Sequence, residues 1–258
     1  MGNLHFIGGE KGGVGKSFTA RMLTQYFIDH QLPVAGFDTD ESHSTFSRFY
    51  RDFTTSIQID DFDSLDHIIE FAEANPHHQI IVDLAAQTFK PLKKWFQDSA
   101  VEDIFRSIGY SIYLWHVMDD GADSLFLLEK LMATYPQSEL KLVVVLNQGR
   151  GKDFAHFEQS PVYQKAIQRG ATFLPLQELQ SGLARKIDFN NASFWNAANN
   201  ENMTRAERRR TRVWLDRHYA QIKACLTPAQ PADEHAVRST LQQPDFDAIE
   251  VGTNEHYV

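Results

Sequence analysis

Short apolar runs alternate along this chain with longer stretches whose apolar residues recur every three or four positions. The runs at 3–8, 33–38, 79–84, 111–118, 140–146 and 171–174 have the length and continuous hydrophobicity of strands buried on both faces. Helical spacing governs 17–30, where Phe18, Met22 and Tyr26 share a side with Leu23 and Phe27. It returns at 65–74, 91–108, 123–135, 161–169, 179–187 and 204–226. Asn75-Pro76 and Pro136 close two of these helices. Residues 188–203, rich in Asn and Ala, read as a loop before the last helix. Strands and helices in alternation predict a doubly wound α/β fold, a mostly parallel sheet with helices on both faces. No internal repeat is apparent.

The length of 258 residues suits one domain over 1–226, including the last helix at 204–226, followed by an extension at 227–258. That extension mixes Pro and Gln with six acids (Asp233, Glu234, Asp245, Asp247, Glu250, Glu255) and one arginine, Arg238, and reads as an acidic mobile tail. It carries much of the net charge of −9, so the overall acidity does not by itself exclude a polyanionic partner. Cys225 is the single cysteine, which rules out an intrachain disulfide or a cysteine metal cluster within one chain and makes a reducing cytoplasm the expected compartment. The N-terminus has no basic-then-apolar leader pattern, and no run of about 18 apolar residues is present, so neither secretion nor a membrane span is expected.

Candidate chemistry begins at Gly8-Gly9-Glu10-Lys11-Gly12-Gly13-Val14-Gly15-Lys16-Ser17, between the first strand and the first helix. That context is the one a phosphate loop requires. Gly12, Gly13 and Gly15 let backbone N–H groups curl around phosphate oxygens, and the helix opening near Ser17 adds its N-terminal dipole. Lys16 is placed to bridge the β- and γ-phosphates and the Ser17 hydroxyl to ligate Mg²⁺, with Val14 and Phe18 completing the nucleotide-contacting stretch. Asp83 ends the apolar run Gln79-Ile80-Ile81-Val82, a Walker-B pattern at a strand's C-terminal end, where a carboxylate can hold the Mg²⁺ shell.

A strict phosphate loop has glycine where this chain has Glu10, and it lacks the earlier lysine. With Lys11-Gly12-Gly13-Val14-Gly15-Lys16-Ser17, the sequence resembles the ParA/MinD family of deviant Walker-A ATPases from about residue 3 to residue 188. The resemblance implies ATP and Mg²⁺ as ligands. It also implies a homodimer when ATP is bound, in which Lys11 reaches the other subunit's phosphates. By the same resemblance Asp40, in Asp38-Thr39-Asp40, is the catalytic switch acid near the attacking water and the Mg²⁺ shell, with Asp38 supporting it. Asn147 stands where family members hold adenine, and Pro175 and Leu176 where a loop wraps the base. Glu41-Ser42 after the second strand and Ala85-Ala86-Gln87 after Asp83 depart from the family pattern, which leaves the geometry of hydrolysis open.

The last helix places Arg205, Arg208, Arg209 and Arg212 within about 100° of one another. Such a face can contact DNA phosphates without reading sequence, or face a protein partner. The tail lacks the basic amphipathic pattern of a membrane-targeting helix. The function these readings imply is an ATP-dependent dimerisation switch with slow Mg²⁺-dependent hydrolysis, positioning or partitioning a cargo such as plasmid DNA or a protein complex, with an unidentified protein activator. The alternative is a nucleotide-binding adaptor with little hydrolysis that serves a conjugation, secretion or polymer-synthase machine. A metabolite ligase of the wider superfamily ranks lower, because such enzymes lack the early lysine. Eleven histidines form no His-x-x-x-His pair, so a histidine metal site is not expected.

Overall fold

The protein's structure, a computed structural model, describes residues 1–40, 44–136 and 139–227. Its order is β1 (Asn3–Gly8), α1 (Lys16–Asp29), β2 (Val34–Asp38), a 3-10 turn, β3 (Thr54–Ser56), α2 (Phe62–Ala74) and β4 (Gln79–Asp83). There follow α3 (Phe89–Asp98), α4 (Val101–Ser107), β5 (Ser111–Met118), α5 (Ala122–Thr134), β6 (Lys141–Asn147), α6 (Ala155–Glu158) and α7 (Pro161–Gln168). Then come β7 (Thr172–Leu176), α8 (Ser181–Phe189), α9 (Phe194–Asn199) and α10 (Arg205–Leu226). The acidic extension predicted at 227–258 lies outside the described residues, apart from Thr227.

The seven strands form one parallel sheet in the order β3-β2-β4-β1-β5-β6-β7. β1 is central, and the connections leave it toward both edges, which opens a crevice beyond the strands' C-terminal ends. Pairing brings Ile7, Asp38 and Asp83 level with one another, so both acids emerge at the same height as the loop that follows β1. Alternation along β1 serves the two faces. Phe6 packs on Trp95 and Phe96 of α3, with ring centroids 6.5 and 5.4 Å away, while His5 meets Phe27 of α1 at 5.3 Å. On the latter face Met22, Leu23 and Phe27 join Trp214, Leu215 and Ile222 of α10 in one buried cluster.

The predicted single helix at 91–108 is two helices. Ala100 takes a left-handed conformation (φ 49°) and separates α3 from α4. On an unbroken helix Phe96 and Phe105, nine residues apart, would point about 180° from each other. The break lets both be buried. The predicted loop at 188–203 contains α9. Asparagine is a weak helix former, so propensity hides it. What holds it is the Ser193 side-chain cap together with two distant acceptors: the N–H of Phe194 donates to the Tyr50 hydroxyl (3.1 Å) and that of Trp195 to Gln25 Oε1 (2.9 Å). β3 and α6, three and four residues long, carried no periodic signal.

Candidate functional site

The loop after β1 turns back at Gly13 (φ 76°) and Gly15 (φ 105°), and α1 starts at Lys16 with no side-chain cap and no acid in its first turn. Its first N–H groups are thereby left for an anion. A Cβ at Gly12 or Gly13 would meet no atom within 4 Å, so space over the loop is open, whereas one at Gly15 would lie 2.3 Å from Asn147 Nδ2. Gly15→Ala combines that clash with a left-handed backbone. It is expected to cost about 1–3 kcal/mol, a melting temperature roughly 2–10 °C lower by scanning fluorimetry. An unchanged melting temperature would show the turn to be less constrained than the Gly15 geometry implies.

Over the loop lies an open cleft of about 620 Å³ that brings together Gly12, Gly13, Gly15, Lys16, Ser17, Phe18, Asp40, Asp83 and Asn147. Lys16 is nearly buried, and its Nζ donates to the Lys11 carbonyl at 3.1 Å. Burial lowers its pKa, opposed by the charges of Asp83, Glu10 and Asp40. Asp83 is 2% exposed, and neither of its oxygens accepts a hydrogen bond. Burial pushes its carboxyl up to about 8; the nearby Ser17 hydroxyl and Lys16 draw it back down, although the hydroxyl does not reach hydrogen-bonding geometry. Thr39 holds the two acid-bearing strand ends together: its hydroxyl donates to the Asp83 carbonyl (3.0 Å) and accepts from the N–H of Ala85 (2.8 Å). Asp38 is a structural clasp, accepting from the N–H of Asp40 (3.0 Å), from those of Phe46 and Ser47, and from the Ser47 hydroxyl (2.7 Å). Glu41-Ser42 lies outside the described residues.

A hydroxyl and two carboxylates, one of them buried and orphaned, are a hard-oxygen donor set that fits Mg²⁺, which keeps one or two protein carboxylates alongside phosphate oxygens. Ser17, Asp40 and Asp83 are the residues that would hold it.

Several predicted residues stand differently from their expectation. Lys11 points to its own chain, its Nζ 2.6 Å from Asp119 Oδ2 past the end of β5, and this bond pushes the lysine pKa up. Burial would raise the Asp119 carboxyl, but Lys11, Ser124 and the N–H of Gly121 together hold it low. Val14 has its side chain in the core and contributes backbone alone to the loop. Asn147 spends its amide on that backbone, donating to the Val14 carbonyl (2.6 Å) and accepting from the N–H of Gly149 (3.0 Å). One N–H and one lone pair remain for a base. Pro175 and Leu176 do not form the base-side loop: both belong to β7, Leu176 is buried, and Gln177, Glu178 and Leu179 line the cleft instead. Proline is tolerated there because β7 is an edge strand. The loop is fastened to α10, where Trp214 Nε1 donates to the Gln177 carbonyl (2.9 Å) and the N–H of Gln177 donates to His218 Nε2 (3.0 Å). Burial pushes the His218 pKa down to about 4, so it stays a neutral acceptor.

Sequence reasoning missed two kinds of residue. Arg21, Arg48, Arg150 and Arg185 also line the cleft. Arg21 lies one turn beyond Ser17 on α1, a spacing that could have revealed it; it stacks 3.5 Å from the Phe49 ring and pairs with Asp188 at 2.9 Å. Glu10, where a strict loop has glycine, accepts from the first N–H of α3 at Phe89 (2.8 Å) and so ties the loop to the segment after Asp83. The four arginines of α10 expected on one face divide. Arg205 and Arg209 are exposed, whereas Arg208 and Arg212 are half-buried and donate to Asn199. Among the described residues, no helix is long and apolar enough to cross a membrane.

A parallel sheet whose central strand delivers a glycine-lined, uncapped helix N-terminus to a cleft is the architecture of P-loop nucleotide-binding proteins. The family model of the CobQ/CobB/MinD/ParA nucleotide binding domain matches residues 5–178, and the chain belongs to that family. It is similar to Protein MobD of Acidithiobacillus ferrooxidans, 24% identical over 189 residues that cover 72% of this chain and 82% of that one. Protein TraL of Escherichia coli is 25% identical over 191 residues, 70% of this chain and 78% of its own. In fold it is similar to the MinD cell division protein of Aquifex aeolicus in complex with MinC (TM-score 0.52, 12% identity, 88% of this chain and 98% of that chain). The septum site-determining protein MinD of Pyrococcus horikoshii, bound to Mg-ADP, also has a TM-score of 0.52, at 13% identity over 89% of this chain and all of its own.

Proposed function

We propose that this protein is an ATP-dependent dimerisation switch that hydrolyses ATP slowly with Mg²⁺ and positions a cargo, plasmid DNA or a protein complex, in the maintenance or mobilisation of a plasmid. The observation that carries the reading is the buried, unpartnered Asp83 carboxylate beside Ser17 and Lys16 at the head of a glycine cradle. Backbone amides and Lys16 bind the triphosphate in this reading, and Asp40 orients water. Bound Mg²⁺ supplies positive charge to the phosphates and fixes their geometry. Sedimentation with ATP, ADP and no nucleotide, on wild type and Asp40→Ala, tests it: dimers with ATP alone are expected, longer-lived in the variant. A protein that binds no Mg-ATP at millimolar concentration, or one whose association ignores nucleotide, would sink the proposal.

Lys11 acts on the partner subunit in this reading, so it must first exchange Asp119 for phosphate. Lys11→Ala is expected to leave ATP affinity within about threefold while removing roughly 100-fold or more of partner-stimulated turnover, as loss of a trans-acting cation does elsewhere. Unchanged stimulated turnover would remove the trans role. The Lys11–Asp119 pair also favours a second reading, a nucleotide-binding adaptor whose lysine stays in cis, and measurable turnover with DNA or a partner added would argue against it. Arg205, Arg208, Arg209 and Arg212 of α10 contact DNA phosphates in this reading.

A further inference from the structure

Away from the nucleotide cleft, an exposed indole on α9 lies near half-buried arginines at the start of α10. Trp195, in the first turn of α9, is 55% exposed, while Trp95, Trp115 and Trp214 are buried. Its indole walls a shallow groove of about 330 Å³ with Phe49, Phe53 and Arg51; Phe53 is 40% exposed, and Asp52 is the acid at the rim. The turn that carries the indole is pinned at both ends. The N–H of Trp195 donates to Gln25 Oε1 at 2.9 Å, and its carbonyl accepts from Asn199 Nδ2 at 2.8 Å. Asn199 in turn takes Arg212 on its Oδ1 (3.1 Å) and Arg208 on its carbonyl (3.5 Å). Between 205 and 212 five arginines stand against one acid, Glu207, which Lys186 engages at 2.8 Å.

We propose that this surface binds single-stranded nucleic acid, with bases stacked on Trp195 and phosphates paired by Arg208, Arg212 and Arg51. The arginines call for a polyanion, and the rings call for an apolar planar partner beside it. An unpaired nucleotide offers both in one repeating unit, whereas a duplex hides its base faces in the stack and offers phosphates and base edges instead. The main chain that carries the indole is already pinned, so little backbone order has to be gained on binding. The inference rests on the nucleic-acid part of the function proposed above and is independent of the phosphate loop.

The test is titration of the full chain with an oligothymidylate and with a duplex of equal length, with and without Mg-ATP, following tryptophan fluorescence and the anisotropy of a labelled strand. Trp195 is the exposed one of the four tryptophans, so the single strand is expected to quench emission by stacking on it. Trp195→Ala should weaken binding about 5- to 100-fold, and Trp195→Phe should keep affinity within about threefold while losing the quench. Arg208→Gln with Arg212→Gln should reduce the slope of log affinity against log salt by about 0.7 per arginine. If single strand and duplex compete equally and Trp195→Ala binds as wild type does, phosphates alone hold DNA: this inference fails and the DNA reading stands. If neither form binds at low salt, both fail, while Mg-ATP binding still tests the switch separately. Quenching of Trp195 by an activating protein, with nucleic acid silent, would make the surface a protein interface and overturn the proposal.

Discussion

Lys16→Ala is expected to weaken Mg-ATP binding by at least about 100-fold, because a cation about 4 Å from a phosphate charge is worth about 4 kcal/mol at an effective dielectric of 20. The side chain is nearly buried, it is bonded to nothing but the Lys11 carbonyl among the hydrogen bonds of the described residues, and three acids surround it electrostatically. Its ammonium therefore waits for anionic oxygen. Lys16→Arg should not rescue binding, since a planar guanidinium cannot take the place of a compact ammonium in a loop this close. Folding should be little affected, because burial disfavours the lysine's charge in the nucleotide-free protein. Titration with a fluorescent ATP analogue, read beside a thermal melt, checks both halves. An affinity within about threefold of wild type would mean that polyphosphate is gripped elsewhere.

Asp83→Asn should stabilise the nucleotide-free protein and at the same time remove its response to Mg²⁺. Burial pushes the Asp83 carboxyl up to about 8 in the folded protein. Between the ordinary carboxyl value near 4 and that value, the native state holds a proton that the unfolded chain has released. Stability from this group is therefore complete below about pH 4, declines as pH rises through the window, and is fully lost above about pH 8. Asparagine cannot ionise, so the variant should lose that slope and gain on the order of 2–4 kcal/mol at pH 7. Metal binding needs the ionised acid. Mg-nucleotide affinity in the wild type should accordingly rise between about pH 6 and pH 8, with proton release measurable by calorimetry in two buffers. A variant that melts with the same pH slope as wild type, or that still binds Mg²⁺-dependently, would take Asp83 out of the metal shell.

The phosphate loop was legible because everything that makes it is local: three glycines, two lysines and a serine between an apolar run and a helical period. Asp38 and Asp83 were legible for a related reason. Each ends a run of continuous apolar residues, and parallel strands that end level present their last residues to one crevice. Elements resting on side chains far apart in sequence were not legible. α9 depends on Tyr50 and Gln25, and the break between α3 and α4 exists so that Phe96 and Phe105 reach one sheet.

The site followed the same division. The resemblance set Lys11 against a partner's phosphates, whereas its bond to Asp119, 108 residues away, had no sign in the sequence. The resemblance sets Asn147 against the base, yet its amide donates to the Val14 carbonyl. The resemblance puts Pro175 and Leu176 in a loop around the base, but both belong to β7, whose edge position permits the proline.

By itself, the sequence determined the α/β class, the glycine-lined strand–loop–helix and the acids at two strand ends, because hydrophobic period and glycine conformational freedom act over a few residues. Only the tertiary structure decided which charges pair and which stay orphaned, that Arg21, Arg48, Arg150 and Arg185 converge on one cleft, and that Trp195 stands in solvent on the helix whose Asn199 receives Arg208 and Arg212. Pairing, burial and electrostatic shifts depend on distances through space that chain order does not encode residue by residue.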